Sequence, residues 1–192
     1  MSDAVDSRML AGAYLTLAKL FSYPNPETWK HLAEGGLVDP EISAQTFEAE
    51  YLAAFEIGRG TSPVPLFEGM HRGDQGREGL MEDLLRFYEF FDAKLSETDR
   101  EYPDHLVTEL EFVAWLCMQE QTAQQRGGDA ESFRRAARDF LERHLLAWLP
   151  TFRRRLEATD TVYAQYGATL TELVEVHHGR LGKESQESGD TP

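Results

Sequence analysis

Few side chains in this sequence have the types and spacing that metal binding requires. A glutamate precedes a histidine by four residues twice, as Glu27 with His31 and as Glu101 with His105. His177 and His178 are adjacent, so on a helix they point about 100° apart and would chelate one ion poorly. We therefore predict no metal site.

Nucleophilic and cofactor chemistry have equally little support. The single cysteine, Cys117, lies in the middle of an apolar helical segment, where a buried thiol is the better interpretation. There is no Walker loop, and the stretch Gly58-Arg-Gly-Thr does not follow a strand as a phosphate-binding fingerprint would. We predict no catalytic residue and no cofactor, so the protein is not expected to be an enzyme.

Polar residues at the start of the segment Glu101 to Met118 offer binding chemistry instead. Pro103 suits the first position of a helix, and Asp104 would then meet free backbone N–H groups in the first turn. His105 adds an imidazole that can titrate near neutral pH. The polar residues at this end are Asp104, His105, Glu109 and Glu111. An ordinary helix start with a capping residue remains the alternative interpretation.

A second candidate is the stretch from Pro63 to Glu68, in a long Gly/Pro-rich break between Glu56 and Gly76. Loops of this length in a compact domain are usually functional or disordered, and this one is too apolar for a free linker. Together the two groups indicate an apolar groove lined by Leu66, Phe67 and Trp115, with carboxylates at its rim. Such a groove would suit a peptide that is both hydrophobic and basic.

Helices are the elements that must position these residues. Apolar side chains with 3.6-residue periodicity predict helices at about 7–21, 27–34, 40–55, 77–95, 103–125, 130–149 and 161–177. Pro150 would kink the sixth helix or open a short extension. No strand pattern is evident. We predict an all-α fold, a single compact bundle of six to seven helices around the buried helix 103–125. Residues 1–178 would form this domain, and 179–192 a disordered polar tail.

The composition argues against several classes of binding partner. The formal net charge is −15, which argues against nucleic acid and anionic lipid. No apolar run approaches the 18 residues of a membrane span. Acidic residues near the N-terminus occupy positions where a secretory signal needs basic ones, and one cysteine cannot form an internal disulfide. We expect a cytoplasmic protein, a monomer or weak dimer without stable membrane association.

The stretch Tyr102-Pro-Asp-His-Leu-Val-Thr-Glu-Leu-Glu-Phe resembles the signature of the TorD/DmsD/NarJ family of molybdoenzyme chaperones. The similarity extends from the first helix to about Phe152. Phe67-Glu68 is followed by Gly69, where the TorD branch continues differently. With Arg86-Phe-Tyr-Glu-Phe and Ser96-Glu-Thr-Asp-Arg, this moves the resemblance toward NarJ and the delta proteins of dimethylsulfide and ethylbenzene dehydrogenases and of chlorate and selenate reductases.

This resemblance implies a TorD-like fold and a role as a system-specific chaperone. Such a chaperone binds the apo catalytic subunit of a molybdenum oxidoreductase, often through its twin-arginine leader, and delays export until the molybdenum cofactor is inserted. The residues expected to contact the client or its leader are Tyr102, Pro103, Asp104, His105, Leu66, Phe67, Glu68, Glu109, Glu111 and Trp115.

Two other functions remain open from the residues alone. His105 and Glu109 could serve a helical metal- or haem-dependent redox protein. Alternatively, the chain could be an adaptor that binds an amphipathic helix and has no connection with metalloenzymes. Metal analysis and a visible spectrum would identify the first, and the genes beside this one would separate the second from a chaperone.

Overall fold

A computed structural model describes residues 6–93 and 102–189, with the backbone alone for Gln75 and for residues 184–189. Its helices are α1 (Ser7–Phe21), α2 (Pro26–Glu34), α3 (Ala44–Phe55), the short α4 (Asp74–Arg77), α5 (Leu80–Phe90), α6 (Leu106–Arg126), α7 (Glu131–Phe140), α8 (Leu146–Glu157) and α9 (Tyr163–Gly189). A single 3₁₀ turn covers Glu68–Met70. The predicted all-α class is confirmed.

Helix α6 lies at the centre and packs along α1. The Ser7 hydroxyl donates to the Glu120 carboxylate over 2.9 Å, so the start of α1 meets the end of α6 and the two helices are antiparallel. Leu110, Val113 and Cys117 of α6 are almost fully buried, as the apolar periodicity of this segment predicts. The buried central helix is therefore confirmed.

The central helix begins later than predicted. His105 is its N-cap, and its ring nitrogen accepts the Val107 N–H, so Pro103 and Asp104 precede the helix. The reason is a pairing with a distant segment, in which the Leu106 N–H donates to the Leu66 carbonyl over 2.8 Å. That contact holds His105 in an extended conformation and outweighs the local preference of proline for the first helical turn.

Helices α7 and α8 follow each other without a loop and are joined by a π-helical turn at Leu141–Leu145. Pro150 lies inside α8, where it has no N–H to give to the carbonyl four residues earlier. The extra residue of the π turn changes the helical phase just before this proline. It leaves His144 facing the interior, with about 1% of its surface exposed.

Further predicted boundaries differ from the structure, and α3 begins at Ala44 instead of about residue 40. Helix α9 continues to Gly189 and buries Leu181, whereas the sequence predicted a disordered tail from residue 179; residues 190–192 lie outside the described part. Helix α5 begins at Leu80 rather than Arg77, after Gly79 at φ +73°, and the predicted end at Leu95 is outside the described part as well. Within the described ranges, none of the helices has the length and apolar character to cross a membrane.

Candidate functional site

The two groups singled out in the sequence meet in the structure. Phe67 and His105 form an isolated antiparallel bridge, flanked by the Leu66–Leu106 bond and by a 2.9 Å bond from the Glu68 N–H to the Asp104 carbonyl. Two stretches nearly forty residues apart are thus held together by backbone bonds. The 66–68 segment packs against the start of α6, as the combination of the two groups implied.

Gly69 allows the loop to approach Asp104 closely. Its N–H donates to the Asp104 carboxylate over 3.3 Å, and a Cβ built at this position would lie 3.1 Å from the same oxygen. A side chain here would have to push the carboxylate away. The glycine that departs from the TorD-branch pattern therefore has a local structural role.

Beneath the bridge lies a buried group of polar side chains, here called the polar cluster: Glu68, Arg72, Asp104, Glu109, His144 and Trp148. Glu68 is completely buried at its centre. One of its oxygens lies 2.5 Å from the Arg72 guanidinium, and the other lies 3.1 Å from Nδ1 of His144. Burying a carboxylate is costly unless it is paired, and these two partners supply the pairing.

Glu109 is the second buried carboxyl of the cluster. One oxygen accepts the Trp148 indole N–H over 3.1 Å, while Oε1 meets no N–H or hydroxyl donor in the described residues. Burial raises the pKa of Glu109 well above its ordinary value, and the nearby charge of Glu68 and a hydrogen bond shared with it raise it further. A proton on Glu109 would give Oε1 a hydrogen to donate and would remove the need for a donor there.

Asp104 and His105 differ from their predicted roles at the rim of a groove. Asp104 is buried and turned toward the loop; burial raises the pKa of its carboxyl, opposed by the Gly69 N–H. Burial lowers the pKa of His105 to about 4, so its imidazole is neutral at physiological pH and accepts the Val107 N–H. The structure therefore corrects two predictions. Asp104 is not open to an incoming arginine, and His105 does not titrate near neutrality.

The exposed part of the site is aromatic. Tyr102 is 59% exposed, and the Phe67 ring packs edge-on against the rings of Tyr102 and His105 at 5.6 and 5.0 Å. Tyr102 and Phe67 form what we call the aromatic edge, and His105 supports Phe67 from one side. Leu66 is buried beneath it, and the Pro103 carbonyl accepts the Tyr88 hydroxyl over 2.7 Å.

Two of the predicted site residues lie elsewhere. The Trp115 ring contacts Phe91 and Phe133, and Glu111 borders a cleft on the α1 side of α6. Trp115 comes nine residues after Leu106, and at about 100° per residue this turns it to the opposite face of the helix. The predicted groove of Leu66, Phe67 and Trp115 is therefore wrong, although its first two residues do belong together.

Several functional candidates were missed by sequence reasoning. His144 connects the polar cluster to the surface, because its Nε2 lies 3.2 Å from Asp83, which in turn accepts the Arg143 guanidinium at 2.5 and 2.6 Å. A histidine at a core-facing position of an apolar helix was the available signal for this chain of contacts. The missed residues are Arg72, Asp83, His144 and Trp148, and this signal marks His144 alone.

In the described part of the chain, no group of three or more His, Cys, Asp or Glu side chains is arranged to hold a metal ion. His105 accepts a backbone N–H, and Glu109 faces Trp148 inside the protein. What the geometry supports is a rigidly held aromatic surface on a buried polar support.

Comparison with known families bears directly on this arrangement. The family model described as nitrate reductase delta subunit matches residues 19–154, which include both halves of the bridge. The chain belongs to this family. The predicted relationship to the NarJ-type chaperones is therefore confirmed.

Relatives of this delta-subunit family member are similar over most of its length. It is 64% identical to the selenate reductase assembly chaperone protein of Thauera selenatis, over 99% of both chains. It is 58% identical to the chlorate reductase assembly chaperone protein of Ideonella dechloratans, over 98% of both. The nitrate reductase molybdenum cofactor assembly chaperone NarJ of Escherichia coli K12 is 41% identical, over 52% of this chain and 50% of NarJ. All three are named as chaperones, in agreement with the prediction that the chain is not an enzyme.

Proposed function

We propose that this delta-subunit family member is an assembly chaperone for the catalytic subunit of a molybdenum-containing oxidoreductase. The observation that carries the proposal is similarity over nearly the whole chain to two proteins named as reductase assembly chaperones. Because those two serve selenate and chlorate reductases by name, an oxyanion reductase is the client class we favour. The chaperone would bind the apo subunit in the cytoplasm and release it when the cofactor is in place.

The aromatic edge is the proposed contact surface for the client. Tyr102 and Phe67 offer apolar area at the surface, and the backbone bridge between Phe67 and His105 fixes their orientation. Exposed aromatic side chains on a rigid support are typical of residues that dominate protein recognition. An apolar segment, such as the hydrophobic part of a twin-arginine leader, would pack against them.

The polar cluster would act indirectly in this function. Asp104, Glu68 and Glu109 are buried and have partners inside the protein, so they hold the loop in place and do not meet the client. Basic residues of the leader would instead be attracted by the acidic surface as a whole, since the net charge is −15. Binding of a leader peptide should accordingly weaken as salt screens these exposed charges.

Co-purification tests this function. The chain is expressed with a tagged apo catalytic subunit of a selenate or chlorate reductase, and recovery of the pair and client activity are measured. Tyr102→Ala and Phe67→Ala should each weaken client binding by roughly tenfold or more, as truncation of an interface aromatic does. Ile57→Ala, at another exposed apolar position, is the matched control.

The proposal fails in two distinguishable ways. If the client gains its cofactor and full activity without this protein, the chaperone role is wrong. If the wild type supports maturation and both aromatic variants do so equally well, the role stands but the aromatic edge is not the contact surface.

A further inference from the structure

A second surface on the molecule has the character of a binding site and takes no part in the proposed function. It is a cleft of about 320 Å³ between α5 and the π turn, at the lower end of volumes usual for ligand pockets. We call it the aromatic groove, and its lining residues are Asp83, Arg86, Phe87, Phe90, Phe91 and Arg143.

Three phenylalanines give the groove its apolar wall. Phe90 is 81% exposed, and its ring packs edge-on against the half-buried Phe91 at 4.8 Å. Phe87, also half-buried, is covered on one side by the Arg143 guanidinium, 5.4 Å from the ring centroid. An isolated exposed apolar residue needs no explanation, but one that borders an open cleft with two further aromatic rings is typical of an interaction surface.

The two arginines of the groove have more donors than the protein fills. Arg143 uses Nη2 for both oxygens of Asp83, and the other N–H groups of its five have no acceptor in the described part of the chain. Arg86 is 77% exposed at its side chain and lies 3.9 Å from Glu82, which is too long for a hydrogen bond. Among the residues that line the groove, two arginines face a single carboxylate, Asp83, so the lining offers guanidinium donors without an acceptor in a protein of net charge −15.

From this complementarity we infer that the aromatic groove binds a peptide segment with a large apolar side chain flanked by carboxylates. The apolar side chain would enter between Phe87 and Phe90, and the carboxylates would accept from Arg86 and Arg143. A basic segment would face these two guanidinium groups, while the one carboxylate of the lining, Asp83, is already occupied by Arg143 and the neighbouring Glu82 lies 3.9 Å from Arg86. The groove thus selects the charge opposite to the one that the rest of the surface attracts.

The test uses two fluorescently labelled peptides of 11 residues, the length of α5. Both have the same central Phe-Leu pair, which is flanked by Glu residues in one peptide and by Lys residues in the other. Their binding to the full-length protein is measured by fluorescence anisotropy. The Glu-flanked peptide should bind about tenfold more tightly, because two partly exposed ion pairs together contribute roughly that factor. Non-specific attraction to a protein of net charge −15 would favour the Lys-flanked peptide, so the expected preference cannot come from the surface at large.

Two variants and their matched controls locate the site. Phe90→Ala should weaken the Glu-flanked peptide by about tenfold, and Arg86→Glu should remove its advantage over the Lys-flanked peptide. Ile57→Ala, which also truncates an exposed apolar side chain, and Arg8→Glu, which makes the same charge change on α1, should leave both affinities unchanged. Tyr102→Ala should have no effect here, which keeps this result separate from that of the proposed function.

Three outcomes would overturn the inference. Equal affinity for both peptides, or stronger binding of the Lys-flanked one, would show that the groove does not select carboxylates. Wild-type affinity in Phe90→Ala would place the peptide elsewhere. If sedimentation shows a dimer that Phe90→Ala dissociates, the occupant is a second copy of the chain and not an acidic peptide.

Discussion

The polar cluster and the aromatic groove lie on either side of Asp83 and use charge in opposite ways. In the cluster, Glu68 is fully buried and each of its oxygens has a partner within the protein. In the groove, the exposed Arg86 is 3.9 Å from Glu82, too far for a hydrogen bond, and most donors of Arg143 have no acceptor among the described residues. Buried charges that are ion-paired within the protein position a structure, whereas exposed donors without an acceptor are available to a partner.

Asp83 of the groove connects the two regions. It accepts the Arg143 guanidinium at the groove and lies 3.2 Å from His144, which contacts Glu68 in the cluster. Successive contacts of Arg143, Asp83, His144, Glu68 and Arg72 therefore connect the solvent-facing groove with the buried cluster beneath the aromatic edge. The comparison makes definite predictions about which side chains carry stability and which do not.

Removing the central carboxylate of the cluster should have the largest effect. Glu68→Ala leaves Arg72 and His144 without their buried partner, and breaking a buried ion pair on one side costs about 3–5 kcal/mol. Urea unfolding measures the loss. Glu82→Ala, which removes an exposed glutamate 3.9 Å from Arg86, should change the free energy of unfolding by less than about 0.5 kcal/mol. Equal effects would erase the distinction between the two regions.

The sequence located the two halves of the candidate site but not how they are supported. Helix α1 was predicted with its observed bounds, because its apolar spacing and its ends are local properties. The Pro-Asp-His signature and the Leu66-Phe67-Glu68 loop were both identified. His144 and Asp83 were not, because their partners lie about sixty to eighty residues away along the chain and helical periodicity carries no record of such contacts.

Errors in the site prediction have specific physical causes. Trp115 was placed beside Phe67 because both are large and apolar, yet the helical phase turns it to the other side of α6. Asp104 was assigned to a first helical turn, whereas the tertiary pairing of Leu66 with Leu106 moves the helix start past it. The exposed Phe90 was overlooked because Phe87 and Phe91 on the same helix fit an inward-facing pattern.

Protonation of the cluster gives the next largest effect. Below pH 4.5 both the folded and the unfolded protein hold the Glu109 proton, but above it only the folded form keeps it, because its pKa is raised. Glu109 therefore makes the wild type less stable as pH rises, until the folded form also loses the proton. Glu109→Gln does not titrate, and its stability relative to the wild type should grow by up to about 1.4 kcal/mol per pH unit in this window.

Unfolding free energies of the wild type and of Glu109→Gln, measured at several pH values from 5 to 8, test whether the variant gains relative stability as pH rises. A constant difference over that range would mean that Glu109 is ionised in the folded state, and that two charged carboxylates are buried together. The polar cluster would then contain a buried charge on Glu109 instead of a proton, and the assignment of a protonated Glu109 would be wrong.

A smaller effect is expected for His105, which lies between the cluster and the surface. Burial lowers its pKa to about 4, so above pH 6.5 the imidazole is neutral in both the folded and the unfolded state. His105→Gln should consequently bind the client within about twofold of the wild type at pH 7, since no charge is lost. As pH falls from 6.5 toward 4, only the unfolded wild type gains the proton, so the wild type should lose stability relative to the variant. Loss of client binding at pH 7 would instead assign His105 a direct polar contact with the client.

The smallest effect belongs to the most exposed aromatic ring. Phe90 keeps 81% of its surface in contact with solvent, so Phe90→Ala removes little buried apolar area and should change the free energy of unfolding by less than about 0.5 kcal/mol. Leu84→Ala, six residues earlier on the same helix but fully buried, should cost about 2–5 kcal/mol. Urea unfolding of the two variants side by side gives both numbers. A cost above about 1 kcal/mol at Phe90 would mean that the ring is packed against the protein in solution, and a groove already filled by its own chain could not receive a partner.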